Sequence, residues 1–275
     1  MITNNNQTEV ITSKNADQAE EVISPIQDIK DTIGYLINPK MLHVTPLILW
    51  TAISVSVYSG VLIILMTRSM SSGTKHGDLH DVGKSGDQDF VDNNNKREKA
   101  ALLAMIMLGF GEIVGGLIVG KVRDTIGNKP CIFFQILLVA ASLFMILRFN
   151  NSNDFDYFPA YMMCFLWGTQ DSGTNCFINC ILGFEFDSKI LPFSVFKFTQ
   201  SLFIFVFQLV QSKVLDTDAI PDIDDQVNTL QTYLIAVGAF GILSLLVMIP
   251  FKFKETGEEE TGKVKIDKGE SETLM

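Results

Sequence analysis

Six separate runs of roughly 20 apolar residues dominate this sequence, each long enough to cross a bilayer as a helix. They cover 41–67, 99–119, 130–149, 158–183, 191–214 and 229–251. A soluble domain built from so many such runs would keep almost no residues for solvated faces. The composition agrees: 47% of the chain is hydrophobic and only 19% is charged. The expectation is therefore an all-α, polytopic membrane protein with six transmembrane helices and the lipid bilayer as its first partner. Residues 1–38 read as a polar cytosolic tail or linker with a short interfacial helix near 29–37. Residues 39–252 form the membrane domain, and 253–275 an acidic disordered tail.

The net charge of −10 sits mostly in tails and loops, such as "DTDAIPDIDDQ" (216–226) and "ETGEEETGKVKIDKGESE" (255–272). These acidic segments argue against nucleic-acid binding. The leading tail has no apolar centre and is not a signal peptide. Cys131, Cys164, Cys176 and Cys180 all fall within the apolar runs and read as small packed residues rather than a disulfide frame. The stretch "HGDLHD" (76–81) lacks a third fixed ligand, so no metal site is expected, and no cofactor. The chain has no nucleophile-and-base set and no phosphate-binding loop, so it does not read as an enzyme.

Orientation follows from basic residues. With the N-terminus inside, the short inner loops carry Lys121, Arg123, Lys129, Lys189, Lys252 and Lys254, and the short outer ones only Arg148 and Lys213. Both termini are then cytosolic. The long first loop runs against this, placing Arg68, Lys96, Arg97 and Lys99 outside. The glycosylation sequon Asn150-Asn151-Ser152 lies close to the bilayer, and Asn6-Gln7-Thr8 falls in the cytosolic tail. Glu270 followed by Leu274-Met275 resembles an acidic dileucine signal, which leaves the plasma membrane and the endolysosomal membrane both open.

The runs are not equivalent. The third and sixth are apolar almost all round, interrupted by Gln135 and Ser142, and by Thr232 and Ser244. The fourth carries Cys164, Gly168, Asp171, Asn175 and Asn179 at steps of three or four, which puts them on one stripe. The fifth does the same with Lys197, Gln200, Ser201, Gln208 and Gln211, and the first has Thr51, Ser54, Ser56, Ser59 and Gly60. The order polar, polar, apolar, twice over, suggests a three-plus-three repeat whose third helices face lipid.

In the second run, Glu112, Gly116 and Gly120 share a face. Small residues at that spacing let another helix approach closely, so Glu112 points into protein or a wet cavity. A charge at that depth is either functional or interhelical glue. From the inner end, Glu112 lies about 12 Å up its helix and Lys197 about 10 Å up another, at ~1.5 Å per residue. The expectation is an ion pair between them. In the loop "GKVRDTIGNK", Asp124 is placed to cap the next helix and to pair with loop cations. Gly127 allows a turn with positive φ.

That loop resembles the signature of the major facilitator superfamily: glycine, three residues, aspartate, two residues, glycine, then a basic residue. Gly120, Asp124, Gly127 and Lys129 match it, with Thr125 where a basic residue often follows the aspartate. "GFGEIVGGLIVG", "FLWGTQDSGTNCFINCILGFEF" (165–186) and "PFSVFKFTQSLF" (192–203) resemble the second half of the Unc-ninety-three-like branch. There, helix ten reads glycine-aspartate-serine, two residues, asparagine-threonine-glutamine. Asp171, Ser172 and Asn175 fit, while Gln170, Cys176 and Phe177 depart from it. Phe196–Phe198 followed by Gln200 fits well. The resemblance covers about 31–251 and implies half of a major facilitator fold, its helices seven to twelve, with the leading tail as the linker between halves.

Two functions follow from it. In one, the chain is a transporter half whose solute or ion path runs past Glu112, Asp171, Ser172, Asn175, Lys197 and Gln200, completed by a second six-helix chain. In the other, it is a non-transporting subunit that regulates an ion channel or escorts a membrane receptor, and the same stripes meet partner helices.

Overall fold

The structure is a computed structural model that describes residues 25–66, 88–151, 156–188, 190–214 and 223–254. The candidate metal stretch 76–81, the sequon at Asn6, Ser152, most of 216–226, and the acidic tail with its dileucine lie outside the described residues. Among the described residues all regular structure is helical, and there is no strand. A short helix, α1 (Pro25–Leu36), precedes six long ones. These are α2 (Pro39–Ser56, continued through Val57–Leu62 to Met66), α3 (Gln88–Ile126), α4 (Asn128–Asn150), α5 (Tyr157–Phe184), α6 (Leu191–Val214) and α7 (Ile223–Val247).

Local chemistry sets the ends. Asn38 caps α2, its Oδ1 accepting from the Lys40 N–H at 3.0 Å, and Pro39 supplies the first helical residue without an N–H to satisfy. Asp156 caps α5 through the Phe158 N–H at 3.1 Å. Between α3 and α4 a single residue, Gly127, turns the chain at φ 87°, a conformation that excludes most side chains. α1 is the short helix expected near 29–37. It turns Tyr35 and Leu36 onto the core and leaves Ile29, Ile33 and Ile37 exposed along one line.

Five of the long helices are long and apolar enough to cross a membrane: Pro39–Met66, Lys99–Ile126, Asn128–Asn150, Leu191–Val214 and Asp225–Val247. The chain therefore reads as a multi-pass integral membrane protein. The second is a continuous helix to Ile126, seven residues past its expected end at 119, because nothing in "KVRDTI" breaks it before Gly127. The fourth run differs from the rest. α5 is 28 residues long, yet the polar stretch through Gln170, Asp171, Ser172, Thr174 and Asn175 makes it too hydrophilic to stand with the other five. It is buried instead by protein, packed against α3, α4 and α2.

The long helices pair in a definite order. α3 lies along α5, α2 along α6, and α4 along α7, and further contacts join α4 to α5 and α2 to α7. If the six are numbered along the chain, exchanging one with four, two with five and three with six maps these five pairings onto one another. The third helices of the two triplets are not the most exposed ones within this chain. α4 and α7 pack on each other and bury 33% and 39% of their spans, whereas α3 and α6 bury 28% and 22%. The sparse polar residues of α4 explain this. Gln135 and Ser142 mark a side packed on α5, where Ser142 Oγ donates to Leu166 O at 3.0 Å, while Phe133, Leu137 and Phe144 turn outward. α3 has its own outward stripe in Leu102, Ile106, Phe110, Ile113 and Leu117. Each of these helices has one apolar face for lipid and one packed face.

Where α2 meets α6, the helix is interrupted. Residues Val57–Leu62 adopt π-helical geometry, and the amide of Gln211 from α6 is seated in the widened turn. Oriented to satisfy both groups, that amide donates to Ser56 O at 2.8 Å and accepts from Val61 N–H at 2.8 Å. It bridges the carbonyl and N–H that a π-turn would join directly. Gly60 makes room, since a β carbon there would collide with the Gln211 amide.

At the end of the bundle where α2 begins and α5 stops, buried Glu185 gathers the chain. Its Oε2 accepts from Lys254 N–H at 2.8 Å, and its carbonyl accepts from Lys40 Nζ at 3.5 Å. Phe253 folds back against Phe177, and Phe251 against His43. On the outside of this clamp, the hydrogen bond from Lys254 and its charge hold the Asp187 carboxyl below its usual range. That exposed pair contributes little to stability.

Replacing Gln211 with leucine strands the Val61 N–H in an apolar setting and leaves the Ser56 carbonyl with only the Ser59 hydroxyl, 3.2 Å away. The expected loss is about 1–3 kcal/mol of stability, read by equilibrium unfolding in mixed micelles. An unchanged unfolding midpoint would show that the bridge carries no weight.

Candidate functional site

The site begins with how closely α3 and α5 approach. A β carbon on Gly111 would run into the Phe165 carbonyl, one on Gly115 into the Thr169 carbonyl, and one on Gly168 into the Leu108 carbonyl. The two helices therefore touch backbone to backbone along a glycine seam. The closest glycines of α3, Gly111 and Gly115, sit one position before Glu112 and Gly116 of the expected face, which continues to Gly120. Gly116 and Gly120 face α5 more loosely, with a β carbon 3.2 Å from Ser172 Oγ and 3.8 Å from Cys176 Sγ respectively. Glu112 follows Gly111 directly and lies half-buried on the flank of the seam.

Around α5 the polar side chains of three helices join into one network. Lys197 Nζ donates to Gln200 Oε1 at 3.3 Å. The Gln200 amide nitrogen donates to Thr51 Oγ1 at 3.1 Å and to Asn175 Oδ1 at 3.3 Å. The Asn175 amide nitrogen in turn donates to Asp171 Oδ2 at 3.2 Å. A second branch ties Gln170 Nε2 to Ser54 Oγ at 2.8 Å and Trp167 Nε1 to Ser54 O at 3.3 Å. The connected set thus includes Asp171, Asn175, Lys197 and Gln200 from the sequence reading, drawn from α5 and α6 and braced by α2. Asp171 is 5% exposed, with the Ser54 hydroxyl and the Asn175 amide beside its carboxylate.

Two expectations fail on geometry. Glu112 and Lys197 form no ion pair. The ion pairs among the described residues are Arg123–Asp124 and Lys254–Asp187. The cause is packing: Glu112 rides on α3, which docks on α5, while Lys197 rides on α6, which docks on α2. The Lys197 ammonium lies instead over the Phe196 ring, 4.6 Å from its centroid, and on Gln200. Asp124 does not cap α4. It falls in the last turn of α3, 76% exposed and 3.7 Å from the Arg123 guanidinium, while the cap position of α4 is Gly127, with no side-chain bond. Arg123 ties the joint together instead. Its Nε donates to Asn128 Oδ1 at 2.9 Å, and its guanidinium stacks 4.9 Å from the centre of Phe184. Lys129 points outward, exposed.

The stripe on α5 changes character along its length. Cys164, Gly168 and Asp171 are buried, Asn175 is half-buried, and Asn179 is exposed. Its open half forms a groove of about 430 Å³ lined by Ser172, Asn175, Cys176, Asn179, Cys180 and Phe184. All four cysteines are free thiols, two of them buried and the groove pair half-buried. Sequence reasoning had Thr51 and Ser54 only as members of a polar stripe and Gln170 only as a departure from a motif. Their partners depend on helix pairing, which residue spacing within one run does not reveal. No protein-family model, curated protein or solved structure matches this chain.

Placing valine at Gly115 forces α3 off the Thr169 carbonyl, which no rotamer change relieves. The expected cost is at least about 1–3 kcal/mol, visible as a lower melting temperature of the detergent-solubilised chain. Valine at Gly109, where a β carbon meets nothing within 4 Å, is the control. Equal melting of the two variants would contradict the seam.

Proposed function

We propose that this chain is a six-span membrane protein built as one half of a facilitator-type transporter, with a solute or ion path along the polar side of α5 and α6. The observation that carries the reading is the network from Lys197 through Gln200 and Asn175 to Asp171, set at membrane depth and opening onto a groove. Ionisable and amide groups are expensive inside a bilayer and line substrate or ion paths by default. In this reading α5 also crosses the membrane and brings the spans to six, its polarity tolerated because protein rather than lipid surrounds it.

Three further features support it. The helix pairings are symmetric under exchange of the first three spans with the last three, as a three-plus-three repeat requires. The resemblance of the Gly120–Lys129 loop and of the α5 and α6 stripes to the Unc-ninety-three-like branch of the major facilitator superfamily points the same way. Lys40, Arg123 and Lys254 gather at the end of the bundle where α2 begins and α5 stops, which favours a cytosolic location for that end and for both termini. A groove lined by one helix needs a second wall, and a second six-helix chain would supply it.

The groove equally offers exposed amide and hydroxyl groups to a partner helix, as a channel-regulating or receptor-escorting subunit would. Uptake separates the two. In proteoliposomes holding the full chain and whatever copurifies with it, Asp171→Asn should abolish accumulation of a transported solute. If wild type accumulates nothing from a broad solute panel while Asp171→Asn changes which membrane protein is recovered with it, the accessory reading replaces the transporter.

A further inference from the structure

The groove on α5 carries an unusual balance of charge. Its lining holds no acidic residue. Asp171, one position before Ser172, is 5% exposed and meets the lining through Asn175, while Glu112 acts on it, and Asp124 on Cys176, from outside the lining. Two cations flank the groove. At one end Arg123 is held over Phe184, a lining residue, by the ring itself and by its bond to Asn128. At the other end Lys197 is exposed and reaches the lining residue Asn175 through Gln200, in two hydrogen bonds. Asn175 and Phe184 are nine residues apart on one helix, which separates the two ends by about 13 Å.

Neither cation is well neutralised. Arg123 meets a carboxylate only at 3.7 Å, and that carboxylate, on Asp124, is 76% exposed to the outside. Lys197 has no carboxylate within ion-pair distance among the described residues. Its contacts are a neutral amide oxygen and an aromatic face. The carboxylate that Lys197 reaches, through Gln200 and Asn175, is that of Asp171, two side chains away, and a lysine so held at membrane depth gains from a closer anion. Between the cations, the Ser172 hydroxyl and the Asn179 amide make no hydrogen bond to the chain among the described residues, and so are free to donate. Charge-assisted bonds from a lysine or arginine, completed by neutral donors, are how proteins hold carboxylates and phosphates.

We infer that the α5 groove is a binding site for a small oxyanion, a carboxylate or phosphate group, with Lys197 as its counter-charge, Ser172 and Asn179 as donors, and Arg123 at the mouth. The inference rests on the reading of this face as a solute path, and it gives that path a charge preference. The same chemistry is offered by a soluble anion and by the headgroup of an anionic phospholipid.

The test uses the full chain purified in neutral detergent and delipidated. Its melting temperature is titrated with inorganic phosphate, succinate, short-chain phosphatidylglycerol and, as a cation, choline, all at one ionic strength. A saturable rise with an anion and none with choline is expected. Lys197→Gln should weaken the apparent affinity by at least about tenfold, and Lys197→Arg should restore most of it. Because Lys197→Gln could fold poorly, Asn179→Leu, on the exposed side of α5, serves as a second variant with the same expected loss. A rise with phosphate or succinate assigns the site to a soluble anion; a rise with phosphatidylglycerol alone assigns it to a headgroup. No response to any anion, or a response untouched by Lys197→Gln and Asn179→Leu, overturns the inference. Anion binding without uptake in proteoliposomes would remove the transport reading and keep this site. Uptake of neutral or cationic solutes that is indifferent to Lys197→Gln would do the reverse.

Discussion

Everything in this bundle hangs on the contact between the backbones of α3 and α5. Gly111, Gly115 and Gly168 bring the two helices together so closely that a single added carbon at any of them would strike a carbonyl oxygen. In a bilayer, lipid tails offer helices no hydrophobic reason to associate, so close van der Waals packing has to supply it. The seam also solves a problem that α5 creates. A helix with Gln170, Asp171, Thr174 and Asn175 along its middle is a poor guest in hydrocarbon. With α3 locked on one side, α4 on another and α2 across from them, α5 is sheathed in protein over its most polar stretch.

The polar network is the consequence. Once α5 is fixed, Ser54 of α2 and Gln200 of α6 fall within reach of its amides, and Gln200 in turn donates to Thr51 of α2. α6 itself is held to α2 by Gln211, whose amide fills the π-turn over Val57–Leu62. The bulge and the network therefore sit on the same helix pair, one turn of polar chemistry after another, and the far end of α6 carries Lys197 to the open side. Burial falls away along α5 from Asp171 to Asn179, so the network passes without a break from protein interior to groove.

Much of this was legible in the residues. Run length located every long helix, and stepping by three or four put Asp171 and Asn175 on one stripe and Lys197 and Gln200 on another. What stayed hidden depends on which helices become neighbours. The Glu112–Lys197 pair was reasoned from depth alone, but depth says nothing about azimuth, and the two residues lie on helices with different partners. Asp124 would stand at a cap if the loop started at Gly120, whereas helix propensity carries α3 on to Ile126. The glycine seam lies one residue before the face of Glu112, and only the approach of α5 tells the two apart. Arg123 was visible as a loop cation, but its stacking on Phe184 joins residues 61 positions apart, which no local pattern encodes.

The central claim is that the polar side of α5 and α6 is walled by a second helical unit rather than by lipid. The most direct measurement is the native mass of the chain extracted into nanodiscs without exchange of its own lipids, with every copurifying polypeptide identified. The account expects a particle that contains two six-helix units, either two copies of this chain or one copy and another of the same size. A particle holding one copy and no other polypeptide would contradict it.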